Sequence, residues 1–340
     1  MSRYWDPTWA KETVIVKGNT DPAALQRRIE FGEALGYPRL PEDQREPCLN
    51  EQGIFRMAVV GPDWTGLVRG PERRSAAPLQ EEVGRLAFYF ICSRPSIRAI
   101  DDATEVINGK LTLALQIVDD DGTEAMHRHS ADLPDGITDV ALRSGGRAVV
   151  MTGEDQEYVF DLGLVAQLNL ASSRLDPKLF DLKIHYIGRA RGELRESCAL
   201  DRLDSHSRYQ EIIEDMMENH PNRDVWLVLG AGTTIETVGG ANAGVDVDEE
   251  AMQSADRRGR EMLRERDRID LTEALMINYF KPERNIHHKE RLELNTKVMK
   301  RCYEAGFTGV VLAYSSMHLG VATYTEASGR SLFHSSQICL

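Results

Sequence analysis

The run Leu182-Lys-Ile-His-Tyr-Ile-Gly188 constrains the fold most strongly, because an apolar run that stops at a glycine predicts a short strand followed by a turn. Two arginines follow this run directly, in Arg189-Ala-Arg191. Residues 198–219 then carry apolar side chains at helical spacing, which predicts an amphipathic helix. Arg202 and His206 lie four residues apart in that helix and therefore share one face.

A carboxylate and an amide follow much later in the chain. Glu273 lies in residues 249–278, which are predicted to form one long helix or a broken pair of helices that ends before Pro282, and Asn285 comes soon afterwards. Tyr, Arg, His and Glu in this order suit metal-assisted hydrolysis of a phosphodiester. The carboxylate holds a divalent ion, the guanidinium neutralises charge at phosphorus, and a Tyr–His pair handles the water and its proton. The competing interpretation is that each is an ordinary half-buried or surface side chain.

This order of residues resembles the GIY-YIG nuclease superfamily over residues 155–295. The matching residues are Tyr186-Ile-Gly188 (the second signature triplet), Arg202 and His206 (its helix Arg-x-x-x-His), Glu273 (its metal carboxylate) and Asn285 after Tyr-Phe-x-Pro. The family's first triplet, Gly-Ile-Tyr, is not found on the strand before the second. Gly163-Leu-Val165 and Tyr158 are the nearest candidates, and we expect Tyr158 to supply the other site tyrosine.

The resemblance implies a mechanism for hydrolysing a nucleic acid. Tyr186 and His206 help to deprotonate the attacking water, Arg202 stabilises the pentavalent phosphate, and Glu273 holds a single Mg²⁺. Gly188 is expected to have a structural role, and Asn285 to tether the chain after Pro282. DNA is favoured over RNA as the substrate.

Four basic residues are expected to line the cleft and contact phosphates: Lys183, Arg189, Arg191 and Lys281. The alternative for each of them is ordinary surface charge.

The fold class predicted is α+β, with three parts. Residues 1–150 form a mixed N-terminal domain of unknown role, with a short strand at Val14-Ile-Val16 and a helix that begins at Asp21. Residues 155–295 form a GIY-YIG-like domain with a small central sheet flanked by helices, in which Val159–Leu170 and Leu182–Gly188 pair as strands. Residues 296–340 add a helix and a hairpin of Gly309–Tyr314 with Gly320–Glu326, packed on the second domain.

Composition limits the partners. A net charge of −13 counts against a large non-specific nucleic-acid surface, so we expect a narrow basic cleft on an acidic body. The chain has no run of eighteen apolar residues and no signal peptide at its start, so no membrane association is predicted. Five cysteines without paired spacing predict reduced thiols and a cytoplasmic location.

Two other functions stay open. The domain could be a catalytically inactive binding or scaffold module, because the first triplet is missing and the net charge is acidic. In that case residues 1–150 engage a protein partner, and a homo-oligomer is equally open. The site could also act on a small nucleotide, which a closed pocket would favour. Gly230-Ala-Gly-Thr-Thr lacks the Lys-Ser/Thr of a P-loop, and the His127/His129 pair lacks a nearby third metal ligand.

Overall fold

The computed structural model describes Cys48, residue 50 and residues 54–340, with gaps at positions 63, 72, 74–84, 119–121, 123, 155, 169–175, 191–198, 205–206, 242–247 and 293–295. The strand predicted at Val14–Val16 and the helix predicted to begin at Asp21 lie outside the described residues. Strands and helices mix within the chain, as the α+β class predicts.

The strands come in this order: β1 (Ile54–Gly61), β2 (Trp64–Arg69), β3 (Leu86–Ala99), β4 (Glu105–Ile107), β5 (Lys110–Val118), β6 (Glu124–Asp132), β7 (Ile137–Arg143), β8 (Ala148–Gly153), β9 (Glu157–Asp161), β10 (Leu182–Arg189), β11 (Arg223–Ala231), β12 (Thr234–Ala241), β13 (Gly309–Ser315), β14 (Thr323–Tyr324) and β15 (Phe333–Cys339). The α-helices are α1 (Leu162–Leu168), α2 (Ala199–Asp204), α3 (Ser207–Asn219), α4 (Glu249–Met262), α5 (Glu265–Phe280) and α6 (Thr296–Glu304). Short 3-10 helices span Asp101–Ala103, Pro177–Phe180 and Met317–Leu319.

Three sheets organise these strands. The largest has the order β14-β10-β3-β11-β2, and β5 adds to β3 and carries β4 and β6. A four-stranded sheet has the order β12-β1-β13-β15, and a three-stranded sheet has the order β7-β8-β9.

Strand pairing crosses the boundary predicted near residue 150. β3 pairs antiparallel with both β10 and β11, and β1 pairs with β12 and β13. The early strands therefore complete sheets whose other strands come from the second half of the chain. Backbone hydrogen bonding is satisfied by any strand that reaches the edge, whatever its distance in sequence, so local patterns alone did not reveal these partners.

Two predicted strand pairs are wrong. β9 pairs with β8, and residues 162–168 are helical, so Val159–Leu170 does not pair with β10. β13 pairs with β15, whereas β14 pairs in parallel with β10, so the residues after 309 do not form the predicted hairpin.

β3 is the centre of the fold, because its apolar run is buried on both sides. Phe88, Phe90 and Cys92 pack into a core that also contains Leu275 and Phe280 of α5. The alternating residues, Tyr89 and Ile91, pack into a second core with Leu200 and Leu203 of α2. Successive side chains of a strand point to opposite faces, so β3 fixes Tyr89 on the side that faces α2.

The cysteines correct one prediction. Cys48 and Cys339 form a disulfide across 291 positions of sequence, so these two thiols are not reduced as predicted. Cys92 and Cys302 are buried free thiols.

Among the helices that the structure describes, none has the length and apolar character needed to cross a membrane.

Candidate active site

A cavity of about 500 Å³ lies where β3, β10, α2, α3 and α5 meet the segment that follows α5. Its lining includes two tyrosines and one carboxylate: Tyr89, Tyr186 and Glu273. Four arginines surround them: Arg189, Arg202, Arg208 and Arg284. Asn285 and the neighbouring His287 and His288 complete the polar wall. A cavity of this size fits a nucleotide-sized ligand, and its cations favour an anion.

The two tyrosines face each other across neighbouring strands. Tyr89 of β3 lies opposite Gly188 of β10 in the antiparallel register. The rings of Tyr89 and Tyr186 are stacked, with their centroids 6.1 Å apart. A Cβ on Gly188 would come within 2.5 Å of the Tyr89 ring and 2.8 Å of the Tyr186 ring. Residue 188 must therefore be a glycine for both rings to occupy these positions.

Burial keeps Tyr89 protonated. Its side chain is 1% exposed, and this burial raises the pKa of the phenol far above its usual value. The nearby Tyr186 raises that pKa further, while a hydrogen bond with Arg202 opposes the increase. At neutral pH, Tyr89 is therefore a neutral hydrogen-bonding group and not a phenolate. Tyr186 is only half-buried and is the more accessible of the two.

A β-bulge sets the direction of Tyr186. The pairing of β10 with β3 shifts between Ile184 and Tyr186, which makes His185 the extra residue. A bulge bends its strand and changes the direction in which the following side chain points. His185 is buried, and its Nδ1 and Nε2 lie 2.7 Å from Glu283 Oε1 and Ser93 Oγ respectively. The hydrogen bond to His185 lowers the pKa of Glu283 to about 2.

Arg202 lies on α2, one residue before the buried Leu203 that anchors this short helix in the second core. Its guanidinium lines the cavity and is hydrogen-bonded to Tyr89. The second residue of the predicted pair, His206, lies outside the described residues.

Glu273 faces a cation. Arg189 Nε lies 2.7 Å from Glu273 Oε2, and the same guanidinium forms an ion pair with Asp270. Asp270 and Glu273 are three residues apart on α5, so their carboxylates lie on one face of the helix. Arg189, which the sequence predicts to contact phosphate, bridges these two carboxylates.

Asn285 is tied to β10 by both ends of its amide. Its Oδ1 accepts a hydrogen bond from Ile187 N at 2.9 Å, and its Nδ2 donates to Ile187 O at 2.9 Å. Beside it, Arg284 donates its backbone N–H to His185 O at 3.1 Å and forms an ion pair with Asp215 of α3. The segment after α5 is thereby held against the strand that carries Tyr186.

Other predicted residues do not reach the cavity. Tyr158 lies on β9 of the three-stranded sheet with 41% of its surface exposed, and it is not among the residues that line this cavity. Lys183 pairs with Glu326 at 3.5 Å, and Lys281 ends α5 and pairs with Glu290 at 3.7 Å. These two lysines are not part of the cavity lining. Arg191 lies outside the described residues.

Sequence reasoning missed Tyr89, Arg208 and Arg284 as lining residues. A signal was available for Tyr89, because it lies in an apolar run that already predicts a strand. Its pairing with β10 could not be predicted, because β4 to β9 separate the two strands in sequence.

The carboxylates near the cavity can be compared with the ligands that Mg²⁺ usually binds in proteins. No group of three or more His, Cys, Asp or Glu side chains that could hold a metal occurs within the described ranges. Mg²⁺ needs no such group, since it commonly binds through one or two carboxylates and completes its shell with water and substrate oxygens. Glu273, with Asp270 one helical turn away, supplies hard oxygen ligands of that kind. The two carboxylates are therefore of the donor type that Mg²⁺ uses, and in this structure the Arg189 guanidinium contacts both of them.

Comparison of the chain with models of protein families, with curated proteins and with solved structures gave no match.

Proposed function

We propose that the protein is a Mg²⁺-dependent endonuclease of the GIY-YIG type that hydrolyses phosphodiester bonds, with DNA favoured as its substrate. One observation carries the proposal: Tyr89, Tyr186, Arg202 and Glu273 line one cavity. These residues come from four different elements. A purely structural role for each of them would not require them to converge on the same space.

Tyr89 is proposed to take the place of the tyrosine of the missing first triplet. In the family pattern this tyrosine precedes the second triplet on a neighbouring strand. Here the neighbouring strand is β3, and Tyr89 lies beside Tyr186 on it. The intervening strands β4 to β9 are then an insertion between the two signature strands.

The chemistry follows from these positions. Tyr186, the more accessible phenol, orients the attacking water through a hydrogen bond, and the buried Tyr89 holds Tyr186 and Arg202 in place. Arg202 places a permanent positive charge where negative charge develops on the phosphate. Glu273 would hold a Mg²⁺, which when bound would supply Lewis-acid polarisation of the phosphate oxygens. Arg208 and Arg284 line the same cavity, each paired with an acidic side chain of α3, and would bind flanking phosphates by exchanging that partner.

Four arginines line the cavity of a chain whose net charge is −13, which supports the expectation of a narrow basic cleft on an acidic protein. Phosphate contacts made by a few arginines imply strong salt dependence of binding. We propose the cytoplasm as the place of action, which requires that the Cys48–Cys339 disulfide form there despite the reducing conditions.

The second candidate is a binding module that keeps the nuclease fold without activity. The observation that favours it is the Arg189 guanidinium on Glu273, which neutralises the predicted metal ligand.

The test is cleavage of plasmid DNA and of labelled single- and double-stranded oligonucleotides in the presence of Mg²⁺. Wild type is compared with Glu273→Gln and Arg202→Gln, and Glu218→Gln on the exposed side of α3 is the matched control. We expect each site variant to lose about 100-fold in rate or more, and the control to retain the wild-type rate. Cleavage that is equal in all four proteins and insensitive to EDTA would mean that a contaminant is responsible, and the proposal would be lost.

A further inference from the structure

The Arg189 guanidinium bridges two carboxylates on α5. Its Nε contacts Glu273 Oε2 at 2.7 Å, and its Nη1 contacts Asp270. The side chains of Asp270 and Glu273 are only 18% and 16% exposed. Two carboxylates this close would repel each other in a partly buried site without a cation between them. In this structure, Arg189 provides that cation.

A divalent ion would need the same space. An ion held by both carboxylates would need the oxygens that the Arg189 guanidinium contacts in this structure. The guanidinium and the metal therefore compete for Asp270 and Glu273. Because Arg189 also lines the cavity, a phosphate group that enters beside Tyr186 offers it an alternative anionic partner.

We propose that Asp270 is a second metal ligand beside Glu273, and that Arg189 blocks this carboxylate pair until a phosphate of the substrate draws it away. The proposal rests on the proposed function for the identity of the ion and of the substrate. Its consequence is linkage: an anion that binds Arg189 strengthens metal binding, and the metal strengthens anion binding by the same factor. Metal would then be recruited mainly when nucleic acid is present.

The affinity for Mn²⁺ alone tests the competition, measured by isothermal titration calorimetry on the full chain. We expect Arg189→Gln to bind one Mn²⁺ about tenfold more tightly than wild type, or better, because the competing cation is gone. The matched control is Arg208→Gln, which removes the same charge from the cavity wall. Arg208 pairs with Glu211 at 2.6 Å and not with the two carboxylates. Its affinity for Mn²⁺ should stay within about threefold of that of wild type.

Further variants test the ligands. Adding Asp270→Asn or Glu273→Gln to Arg189→Gln should abolish the gain. Arg189→Met, which keeps the aliphatic stem, should reproduce it, and far-ultraviolet circular dichroism checks that each variant is folded. Unchanged Mn²⁺ affinity in both folded Arg189 variants, or an equal gain in Arg208→Gln, would overturn the proposal. A gain that survives Asp270→Asn would remove Asp270 as a ligand.

Sulfate tests the release of Arg189, because it resembles phosphate in shape and charge and stays soluble with Mn²⁺. At constant ionic strength, replacing chloride with sulfate should raise the Mn²⁺ affinity of wild type several-fold and leave Arg189→Gln unchanged. The same response in both proteins would overturn the release step. The outcome is separable from the nuclease proposal. If the Mn²⁺ affinities change as expected but the protein does not cleave DNA, the nuclease proposal is lost and the competition between Arg189 and the metal stands. If the protein cleaves DNA but the Mn²⁺ affinities do not change as expected, the competition is lost and the nuclease proposal stands.

Discussion

Tyr89 and Tyr186 stack with their ring centroids 6.1 Å apart, although six strands separate them in the chain. The contact exists because β3 and β10 are antiparallel neighbours and because Gly188 leaves room for both rings. Arg202 joins the pair through Tyr89, and Glu273 lies on the wall of the same cavity.

Removing the Tyr89 hydroxyl should impair cleavage while leaving the fold intact. Tyr89→Phe keeps the stacked ring but removes the hydrogen bond with Arg202. If the proposed function holds, the rate should fall by about 10- to 100-fold, since the loss concerns the positioning of a charged group. The measurement is the single-turnover rate on an oligonucleotide. Tyr158→Phe is the control, because Tyr158 lies on β9 outside the cavity, and its rate should equal that of wild type. A loss of rate in Tyr158→Phe but not in Tyr89→Phe would mean that Tyr158, and not Tyr89, is the second site tyrosine.

A methyl group at position 188 should destabilise the site. In Gly188→Ala the new Cβ would lie 2.5 Å from the Tyr89 ring, so the ring has to move. We expect the free energy of unfolding to fall by about 1–3 kcal/mol, the usual effect of overpacking. Urea denaturation measures it. Gly153→Ala on β8 is the control, because the nearest atom would lie 3.5 Å away. Equal stability of Gly188→Ala and Gly153→Ala would show that the two rings tolerate a side chain at position 188.

Asn285 replaces a strand partner along part of β10. β14 pairs only with Leu182 and Lys183, and further along the strand the Asn285 amide bonds to both backbone groups of Ile187. Asn285→Ala leaves two buried backbone groups unpaired, which should lower the free energy of unfolding by about 2–4 kcal/mol. Urea denaturation again measures the change. Asn219→Ala, which removes an exposed hydrogen bond to Asp215, should cost less than about 1 kcal/mol. A similar small cost for Asn285→Ala would mean that water satisfies Ile187.

His334 should make the protein less stable in mild acid. The side chain is fully buried among Tyr279, Phe280 and Tyr314, and burial lowers its pKa from 6.5 to about 4. Between these pH values the unfolded chain binds a proton that the folded chain does not bind. The contribution of the neutral His334 to the free energy of unfolding is therefore fully present above pH 6.5 and is lost as the pH falls towards 4. The loss between pH 7 and pH 4.5 should be about 2–3 kcal/mol.

The test of His334 compares urea denaturation at the two pH values. His334→Gln should remove about 2–3 kcal/mol of the difference between pH 7 and pH 4.5. The exposed His220 provides the control, and His220→Gln should keep the wild-type pH dependence. An unchanged pH dependence in His334→Gln would show that the buried ring does not titrate as its environment implies.

The sequence predicted several local features that the structure contains. The strand ending near Gly188, the amphipathic helix before Asn219 and the end of the helix before Pro282 all appear. Apolar periodicity and Pro or Gly signals act over a few residues, so they can be identified without a partner. Tyr186, Arg202 and Glu273 could likewise be proposed as functional residues from the sequence, because their residue types and spacing are local features.

Tertiary structure decided which residues share the cavity. Tyr89 replaced Tyr158 beside Tyr186 because β3, and not β9, is the antiparallel neighbour of β10. Arg189 lies against Asp270 and Glu273 because α5 packs beside the end of β10. Strand pairing and helix packing depend on backbone hydrogen bonding and buried area between distant segments. The sequence by itself therefore determined the local elements and the types of chemical group, while long-range packing determined their neighbours.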